Sequence, residues 1–343
     1  PPTGDASDAP NVLFVIDNTA NWDQRMTVDG ERTTVFDQQQ EALVEIFGLL
    51  PSNEIRVGVM MYTETGGDDT GPDGAYIRAA IRTIADETLD DEGIVTGEEG
   101  TRIKYQRLLD GLDNNIDKAN GGRSAKALAE AYMYFAGNAP KAGNKKAKTD
   151  YFENDYTDKE TDPTCCVESH PVWAIKGMPE SNGRRFDGNA IFTGGAGAKS
   201  SAPYNSPVVD GSCGGNYVIF IGNGPAQDPA SDNRDAGEWL FEVGGEAAIE
   251  EIPQDDPQTQ EKWVDEWARF MKNSEEDIRT FTIDINPDPE RGQGPEWTIL
   301  MQTMAEVGGG EYYAVHEDFD AQLLVNIVTE ILSGILAADS VFA

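Results

Sequence analysis

Short, uninterrupted apolar runs alternate with segments of helical periodicity along this chain, and this alternation limits the fold more than any other feature. Three runs, at 12–16, 55–62 and 216–221, consist largely of aliphatic and aromatic residues. Because they lack the polar alternation of a half-exposed strand, we expect them to be strands buried on both faces. A further strand is expected at 278–284. Buried strands of this kind are typical of parallel sheets covered by helices.

Weaker patterns predict the remaining elements. Helices are predicted at 36–50, where Pro51 ends the helix, and at 105–116, 124–135, 263–271, 297–307 and 323–336. Strands are predicted at 308–315 and at 75–82, the latter as a sheet edge with Arg78 and Arg82 in water. The acidic segment after Pro225 is predicted to be irregular. The chain is therefore expected to be α/β, with a doubly wound, mainly parallel sheet and helices on both faces.

The segment 138–212 interrupts this order. It is dominated by Lys, Gly, Asp, Ser and Pro with scattered aromatic residues. A structureless stretch of this length is unusual inside a compact domain, so we interpret it as a surface insertion that covers one edge of the sheet. Residues 1–10 are small, polar and unpatterned and do not begin with methionine. We expect them to be the exposed start of a processed, exported chain.

Charge excludes several classes of partner. The chain has 62 acidic and 26 basic residues and a formal net charge of −36. A surface this acidic repels nucleic acid and anionic membranes, so neither is expected as a partner. No membrane span is expected either, because the most apolar region, 323–336, has the spacing of an amphipathic helix that docks on a core.

The cysteines are few and odd in number. Cys165, Cys166 and Cys213 are the only ones. In an exported chain this count favours one disulfide, with Cys213 pairing with Cys165 or Cys166, which would restrain the insertion. Buried, unpaired thiols are the competing interpretation. Zinc is not expected, since the chain has only His170 and His316 to complement so few thiols.

A polar turn follows the first buried strand. Asp17, Thr19 and Asn21 occupy positions i, i+2 and i+4 directly after it. A tight turn with this spacing can aim three oxygen-bearing side chains at one point beyond the strand's carboxyl end, where ligands bind in parallel sheets. Oxygen ligands suit a hard cation such as Mg²⁺ or Ca²⁺. No arrangement of Ser, His and Asp or of Cys and His accompanies it, and no phosphate-binding glycine loop, so no enzymatic activity is expected.

The turn and the order of elements resemble the von Willebrand factor A (vWA) domain. Asp17, Thr19 and Asn21 resemble its Asp-x-Ser-x-Ser motif, which belongs to a metal-ion-dependent adhesion site. Further segments are similar to one branch, the vWA domain at the amino end of PilY-type proteins at the tip of type IV pili. These segments are 15–22, 57–64, 74–78, 213–220 and 308–313.

The resemblance implies a domain organisation and a location. A vWA domain would cover 11–338 with the insertion at 138–212, and 339–343 would begin a linker to a carboxyl-terminal β-propeller that is missing from this sequence. The location implied is extracellular or at the cell surface, at a pilus tip reached through the periplasm.

The same resemblance implies further ligands for the cation. The family's threonine loop corresponds to 121–124, so Ser124 could supply a hydroxyl, while Arg123 could instead place a cation where the metal would lie. The family's second aspartate corresponds to Asn223, which replaces a carboxylate by an amide. Three outcomes remain open: a high-affinity site, a weak or partner-completed site, and a metal-free turn in which Asp17 caps the following segment.

Two main hypotheses for function follow. In the first, the chain is a non-enzymatic adhesion or assembly protein that presents its strand-end face to a host or abiotic surface, or to minor pilins and other pilus tip proteins. In the second, a degenerate domain caps a filament or docks onto minor pilins without any ion. A secreted vWA protein unrelated to pili is a third possibility.

Overall fold

The computed structural model describes residues 8–62, 74–86, 100–114, 117–119, 122–142, 203–224, 228–254, 259–260, 262–285, 294–315 and 319–339. Its strands are β1 (Asn11–Ile16), β2 (Arg25–Val28), β3 (Glu31–Thr34), β4 (Arg56–Tyr62), β5 (Ala75–Thr83), β6 (Asn216–Gly222), β7 (Ile278–Ile285) and β8 (Gly309–Val315). Its helices are α1 (Val35–Leu49), α2 (Thr101–Asp110), α3 (Ser124–Phe135), α4 (Ala230–Ala248), α5 (Val264–Asn273), α6 (Gly294–Val307) and α7 (Ala321–Asp339).

A six-stranded, mostly parallel sheet forms the centre of the molecule, in the order β5-β4-β1-β6-β7-β8. The edge strand β5 is antiparallel to β4, whereas β1, β4, β6, β7 and β8 run parallel to one another. Counted along the chain, the sheet order is 3-2-1-4-5-6, that of a doubly wound α/β fold. The prediction of an α/β chain with a mainly parallel sheet and helices on both faces is confirmed.

The order of the strands also selects one place for a ligand. Successive strands are added toward one edge from β1 to β5 and toward the other edge from β6 to β8, so the order of addition reverses between β1 and β6. These two strands pair in parallel from Asn11 with Asn216 to Ile16 with Ile221. In open α/β sheets the crevice beyond the carboxyl ends at this reversal is where ligands bind. The loops that follow β1 and β6 both lie there, and they contain Asp17 and Asn223.

Two layers of helices bury the sheet. On one side α1 packs against α2 and α7, and on the other α3 packs against α4 and α5, with α6 beside α5. The strands in the middle of the sheet are fully buried over Val12–Ile16 and Tyr217–Ile221, as expected of continuous apolar runs between two layers.

The carboxyl-terminal helix α7 docks on this core as predicted. Its buried positions recur at helical spacing and include Leu324, Val328, Ile331 and Ile335. By length and composition α7 could also cross a membrane, with a hydropathy of 1.7, but a core helix meets the same test. Because its apolar stripe packs against α1 and β8, docking accounts for its composition.

Two elements were missed by the sequence analysis. The segment after β1 forms a two-stranded hairpin of β2 and β3. Its turn residues Asp29 and Gly30 have φ angles of 52° and 86°, the conformation that Asp-Gly favours in tight hairpins. The acidic segment after Pro225 is not irregular as predicted, because Ala230–Ala248 is helical. The buried face of this helix includes the polar residues Asp232 and Asn233 beside Ala236 and Leu240. Because polar residues occupy buried positions, the sequence does not show the apolar spacing that is typical of a packed helix.

One prediction about the edge strand β5 is wrong. Arg78 was expected in water but is fully buried, as is the strand from Ala75 to Ile81. Arg82 is half-buried and donates a hydrogen bond to the Tyr105 hydroxyl at 2.9 Å. Helix α3 packs over β5, which explains the burial because it covers a strand that an edge position would otherwise leave open.

The two described ends of the insertion lie beside α3. Glu130 of α3 accepts hydrogen bonds from the backbone nitrogens of Lys141 and Ala142 at 3.1 and 2.9 Å, and from the Tyr204 hydroxyl at 2.5 Å. Tyr204 is buried, so this end of the predicted surface insertion belongs to the core.

The disulfide prediction concerns the same segment. Cys165 and Cys166 lie outside the described residues. Cys213 is exposed and forms no disulfide within the described part of the chain.

Candidate functional site

Asp17 joins the two loops at the sheet reversal. Its backbone nitrogen donates to the carbonyl of Ile221 at 3.0 Å, which extends the β1–β6 pairing by one step. Its carboxylate accepts hydrogen bonds from the backbone nitrogens of Thr19 at 3.1 Å and Asn223 at 3.2 Å. Only 5% of Asp17 is exposed. The carboxylate therefore organises both loops from below their surface.

Asn18 fixes the turn from the other side. Its side-chain oxygen accepts from the Tyr62 nitrogen at 2.8 Å, and its amide nitrogen donates to the carbonyls of Tyr62 at 3.3 Å and Asp117 at 2.5 Å. Asn18 is fully buried. These bonds tie the end of β1 to the end of β4 and hold the turn rigid. Asn18 was not identified from the sequence, although a polar residue between Asp17 and Thr19 at a strand end was a usable signal.

Asn21 reaches across to the loop after β6. Its amide nitrogen donates to the carbonyl of Asn223 at 2.7 Å. Thr19 is 8% exposed, and its hydroxyl is hydrogen-bonded to the carboxylate of Asp17. Asp17 and Asn21 thus both contact the backbone of Asn223, and Thr19 contacts Asp17.

Asn223 has an unsatisfied side chain. Asn223 is 2% exposed, and its amide nitrogen has no hydrogen-bond partner among the residues that the structure describes. Leaving a buried amide unpaired costs free energy, so such a group usually indicates a missing partner. A water or another acceptor would satisfy this donor, whereas binding a cation would require the amide to rotate so that its oxygen faces the ion.

Ser124 begins α3 and contacts an acidic residue that the sequence analysis missed. The Ser124 hydroxyl donates to both carboxylate oxygens of Asp228 at 3.1 Å. The backbone nitrogens of Ser124 and Ala125 each donate to the same carboxylate at 3.2 Å. Asp228, from the loop before α4, therefore caps the amino end of α3, where the helix dipole favours negative charge.

Asp228 is a second buried carboxylate near this junction. It lies five residues beyond the position examined in the sequence, next to Pro229 at the start of α4. It is 4% exposed, and its charge adds a small effect to the burial that raises the pKa of Asp17. The sequence signal was weak, because Asp228 is one of many acidic residues in this region.

Burial raises the pKa values of both carboxyl groups, Asp17 and Asp228. Burial, partly offset by the hydrogen bonds from Thr19 and Asn223 and reinforced by the charge of Asp228, raises the pKa of Asp17 to about 6. Burial also raises the pKa of Asp228, against its hydrogen bonds from Ala125 and Ser124. The Tyr62 hydroxyl completes the group, with a pKa well above its usual value because of burial and the charges of Asp17 and Asp228.

Two basic side chains near the site, Arg123 and Lys126, are paired with other acids, whereas Lys262 donates a hydrogen bond to the Asp228 carbonyl at 3.2 Å and its charge partly offsets the rise in the pKa of Asp228 that burial causes. Arg123 is 3.0 Å from the carboxylate of Asp232. Lys126 is 2.8 Å from Asp232 and 2.9 Å from Asp235. Within the described residues, Asp17 forms no ion pair with any basic side chain. The alternative in which the Arg123 cation replaces the metal beside Asp17 is therefore not what this arrangement favours.

The donor set has the chemistry of a hard-cation site. Among the described residues, no cluster of three or more His, Cys, Asp or Glu side chains forms a ready-made metal centre. The oxygens available are instead the carboxylates of Asp17 and Asp228, the hydroxyls of Thr19 and Ser124, and the amide of Asn223. Carboxylate, hydroxyl and amide oxygens fit Mg²⁺ or Ca²⁺, and a cation would offset the repulsion between the carboxylates.

Comparison with known proteins gives remote likenesses only. No family model matches the sequence. No curated protein matches it either. Among solved structures, a mutant of the PilB minor pilin from Streptococcus sanguinis aligns with a TM-score of 0.47 at 11% identity, covering 98% of this chain and 63% of that chain. The pilus adhesin SpaC from Lactobacillus rhamnosus GG aligns with a TM-score of 0.45 at 10% identity, over 96% of this chain and 31% of that chain.

A third alignment, to an uncharacterized membrane spanning protein from Vibrio fischeri, has a TM-score of 0.22 at 10% identity and covers 95% of this chain and 98% of that chain. This chain spans less than two thirds of the length of the two pilus proteins. At these TM-scores and identities, the alignments support no functional assignment.

Proposed function

We propose that this chain is a non-enzymatic adhesion or assembly domain of the vWA type, similar to that of PilY proteins, and that it binds partners through its strand-end face. The observation that carries the proposal is that two hydrogen-bonded pairs, Asp17 with Asn223 and Ser124 with Asp228, both act on the Tyr62 hydroxyl at the reversal of a 3-2-1-4-5-6 sheet. Two buried carboxylates of raised pKa, at the crevice where open α/β sheets bind ligands, support a site for a hard cation.

The site would act by holding Mg²⁺ or Ca²⁺ with one coordination position left for the partner. Asp17 and Asp228 would supply charge, and Thr19 and Ser124 would supply neutral oxygens. Asn223 in place of a carboxylate lowers the negative charge of the set, which weakens intrinsic affinity. A carboxylate from a partner would restore it, so ion binding and partner binding should strengthen each other.

The proposed location and partners follow from the resemblance. They are the extracellular tip of a type IV pilus, minor pilins or other tip proteins, and a host or abiotic surface. The strongly acidic surface, with a net charge of −36, suits a partner that is not anionic over a wide area.

Calorimetric titration with Mg²⁺ and with Ca²⁺ tests the site. Wild-type protein should release or absorb heat with saturation at one equivalent, and Asp17→Asn and Asp228→Asn should each weaken binding by about tenfold or more, since each removes a charged ligand. Asp110→Asn is the matched control, because Asp110 is exposed at the end of α2. If the wild-type protein gives no heat, or if all three variants bind equally well, the cation proposal is wrong.

A second function has an observation in its favour. The carboxylate of Asp228 already accepts four hydrogen bonds from Ser124 and Ala125, and that of Asp17 accepts two from backbone nitrogens. These groups can therefore serve as caps in a metal-free domain that docks onto minor pilins or a filament end by shape. Partner binding that is insensitive to a chelator would favour this structural cap. A secreted vWA protein unrelated to pili is the remaining alternative.

A further inference from the structure

The two edges of the central sheet differ in how they are protected. At one edge β5 is buried from Ala75 to Ile81 under α3. At the other edge β8 is exposed or half-buried from Gly309 to Ala314, and no described residue pairs with its outer side. An open edge strand presents unpaired backbone donors and acceptors to any extended chain.

The devices that block edge pairing are confined to the first half of β8. Proteins commonly protect an edge with charged residues, proline or a bulge. Between Gly309 and Tyr312, β8 advances three residues while β7 advances only from Thr280 to Thr282, so a bulge lies at Gly310 and the charged Glu311. From Tyr312 to Val315, β8 pairs regularly with β7 and contains no lysine or proline. The regular part of the edge consists mainly of residues with high strand propensity.

A groove of about 370 Å³ runs beside this edge, between the sheet and α7. Its apolar lining includes Tyr217, Phe281 and Tyr313 from the sheet and Ile335 from α7. Gly334 opens the helix side, where a side chain at that position would meet nothing within 4 Å. A strand added to β8 could therefore place an apolar side chain in the groove.

The charges at the groove's rim define the partner. Glu311 of β8 and Glu330 of α7 are exposed, line the groove and form no ion pair within the described residues. Both lie close to Tyr313, whose hydroxyl donates to Glu311 at 2.9 Å. Partial burial and then these two carboxylates raise the pKa of Tyr313 to about 12. Neighbouring carboxylates without a counter-ion are complementary to a basic side chain, although Arg279 also lines the groove.

We propose that β8 is a docking edge for an extended segment of a partner protein that carries a Lys or Arg side chain opposite Glu311 and Glu330 and an apolar side chain beside it. Backbone hydrogen bonds to an edge provide affinity in this mode of recognition, and pockets for alternate side chains provide specificity. A second copy of this chain is disfavoured as the occupant, because each copy has a net charge of −36.

The test combines affinity with backbone protection. The probe is a pool of short synthetic peptides with a central lysine flanked by Val, Ile, Thr and Tyr, and the matched pool has glutamate in place of lysine. The lysine pool should bind and slow amide hydrogen exchange at 311–315. Glu311→Lys combined with Glu330→Lys should weaken lysine-pool binding by about tenfold and make the glutamate pool the better ligand.

Controls separate strand addition from general attraction to an acidic protein. Glu45→Lys on the exposed face of α1 makes the same change in charge as either single rim variant, Glu311→Lys or Glu330→Lys, but away from β8, and should leave binding unchanged. Binding that persists in a chelator and in Asp17→Asn shows that this edge acts independently of the proposed cation site. The proposal is overturned if 311–315 gain no protection, if Glu45→Lys weakens binding as much as the rim variants, or if protection appears without peptide as the protein concentration rises.

Discussion

Replacing Asp17 by asparagine should stabilise the cation-free protein near neutral pH. Burial, together with the charge of Asp228, raises the pKa of Asp17 from 3.8 to about 6. An acid with a higher pKa in the folded than in the unfolded state binds its proton more tightly when folded. Ionisation of Asp17 therefore lowers the free energy of unfolding by about 3 kcal/mol.

The sign of this effect sets a pH window. Below pH 3.8 the carboxyl is protonated in both states, and stability is not reduced. As the pH rises from there to about 6, the unfolded chain ionises first, so stability falls. Above that range both states are ionised and the cost stays constant. Asparagine is neutral throughout and avoids it.

The net gain is smaller than the full electrostatic cost. The carboxyl group accepts from the Thr19 and Asn223 nitrogens through two different oxygens, whereas asparagine has only one acceptor oxygen, so one of these nitrogens loses its partner at every pH, which removes about 1–2 kcal/mol. Asp17→Asn should therefore raise the free energy of unfolding by about 1–2 kcal/mol near neutral pH and lower it slightly at about pH 4.

Urea unfolding in the presence of a chelator, followed by tryptophan fluorescence, measures this difference at both pH values. Asp110→Asn, at an exposed position, should show no such pH dependence. Adding Mg²⁺ should then stabilise the wild-type protein more than Asp17→Asn, which reverses the order. A variant that is less stable than wild type near neutral pH, or that differs by the same amount at both pH values, would refute the reasoning.

Two further predictions concern the groups that hold the site in place. Among the described residues, Lys126→Met leaves the buried Asp232 with Arg123 as its one cationic partner, and the loss of a charge-assisted hydrogen bond should lower the free energy of unfolding by about 1.5–3 kcal/mol in urea titration. Lys118→Met, which removes an exposed ion pair, should cost less than about 1 kcal/mol, and equal costs would contradict the assignment. Asn18→Ala leaves the Tyr62 nitrogen unpaired and should cost about 2–4 kcal/mol and weaken Mg²⁺ binding in calorimetry; unchanged binding would separate this residue from the site.

Local sequence patterns were sufficient for the sheet. A strand covered on both faces must be apolar at every position, so 12–16 and 216–221 could be recognised without any neighbour. The positions of Asp17 and Asn223 at adjacent strand ends followed, because parallel strands end at the same side of a sheet. The hairpin of β2 and β3 was also within reach, since Asp29-Gly30 is a strong turn signal.

Other features depended on packing between distant segments. Arg78 carries a charge that predicts exposure, and only the position of α3 over β5 buries it. The helix α4 was hidden because its buried stripe contains Asp232 and Asn233, which are polar and pass for surface residues.

The sequence by itself determined the α/β order and the polar turn at Asp17, because both depend on the burial of faces and on spacing along one stretch of chain. The tertiary structure alone decided that Asp228 meets Ser124, although 103 other residues separate them along the chain. That contact arises where the amino ends of α3 and α4 come together, and no local pattern records which two helix ends will meet. The number of carboxylates at the site was therefore a property of the packing, and it is the property that distinguishes a cation site from a polar turn.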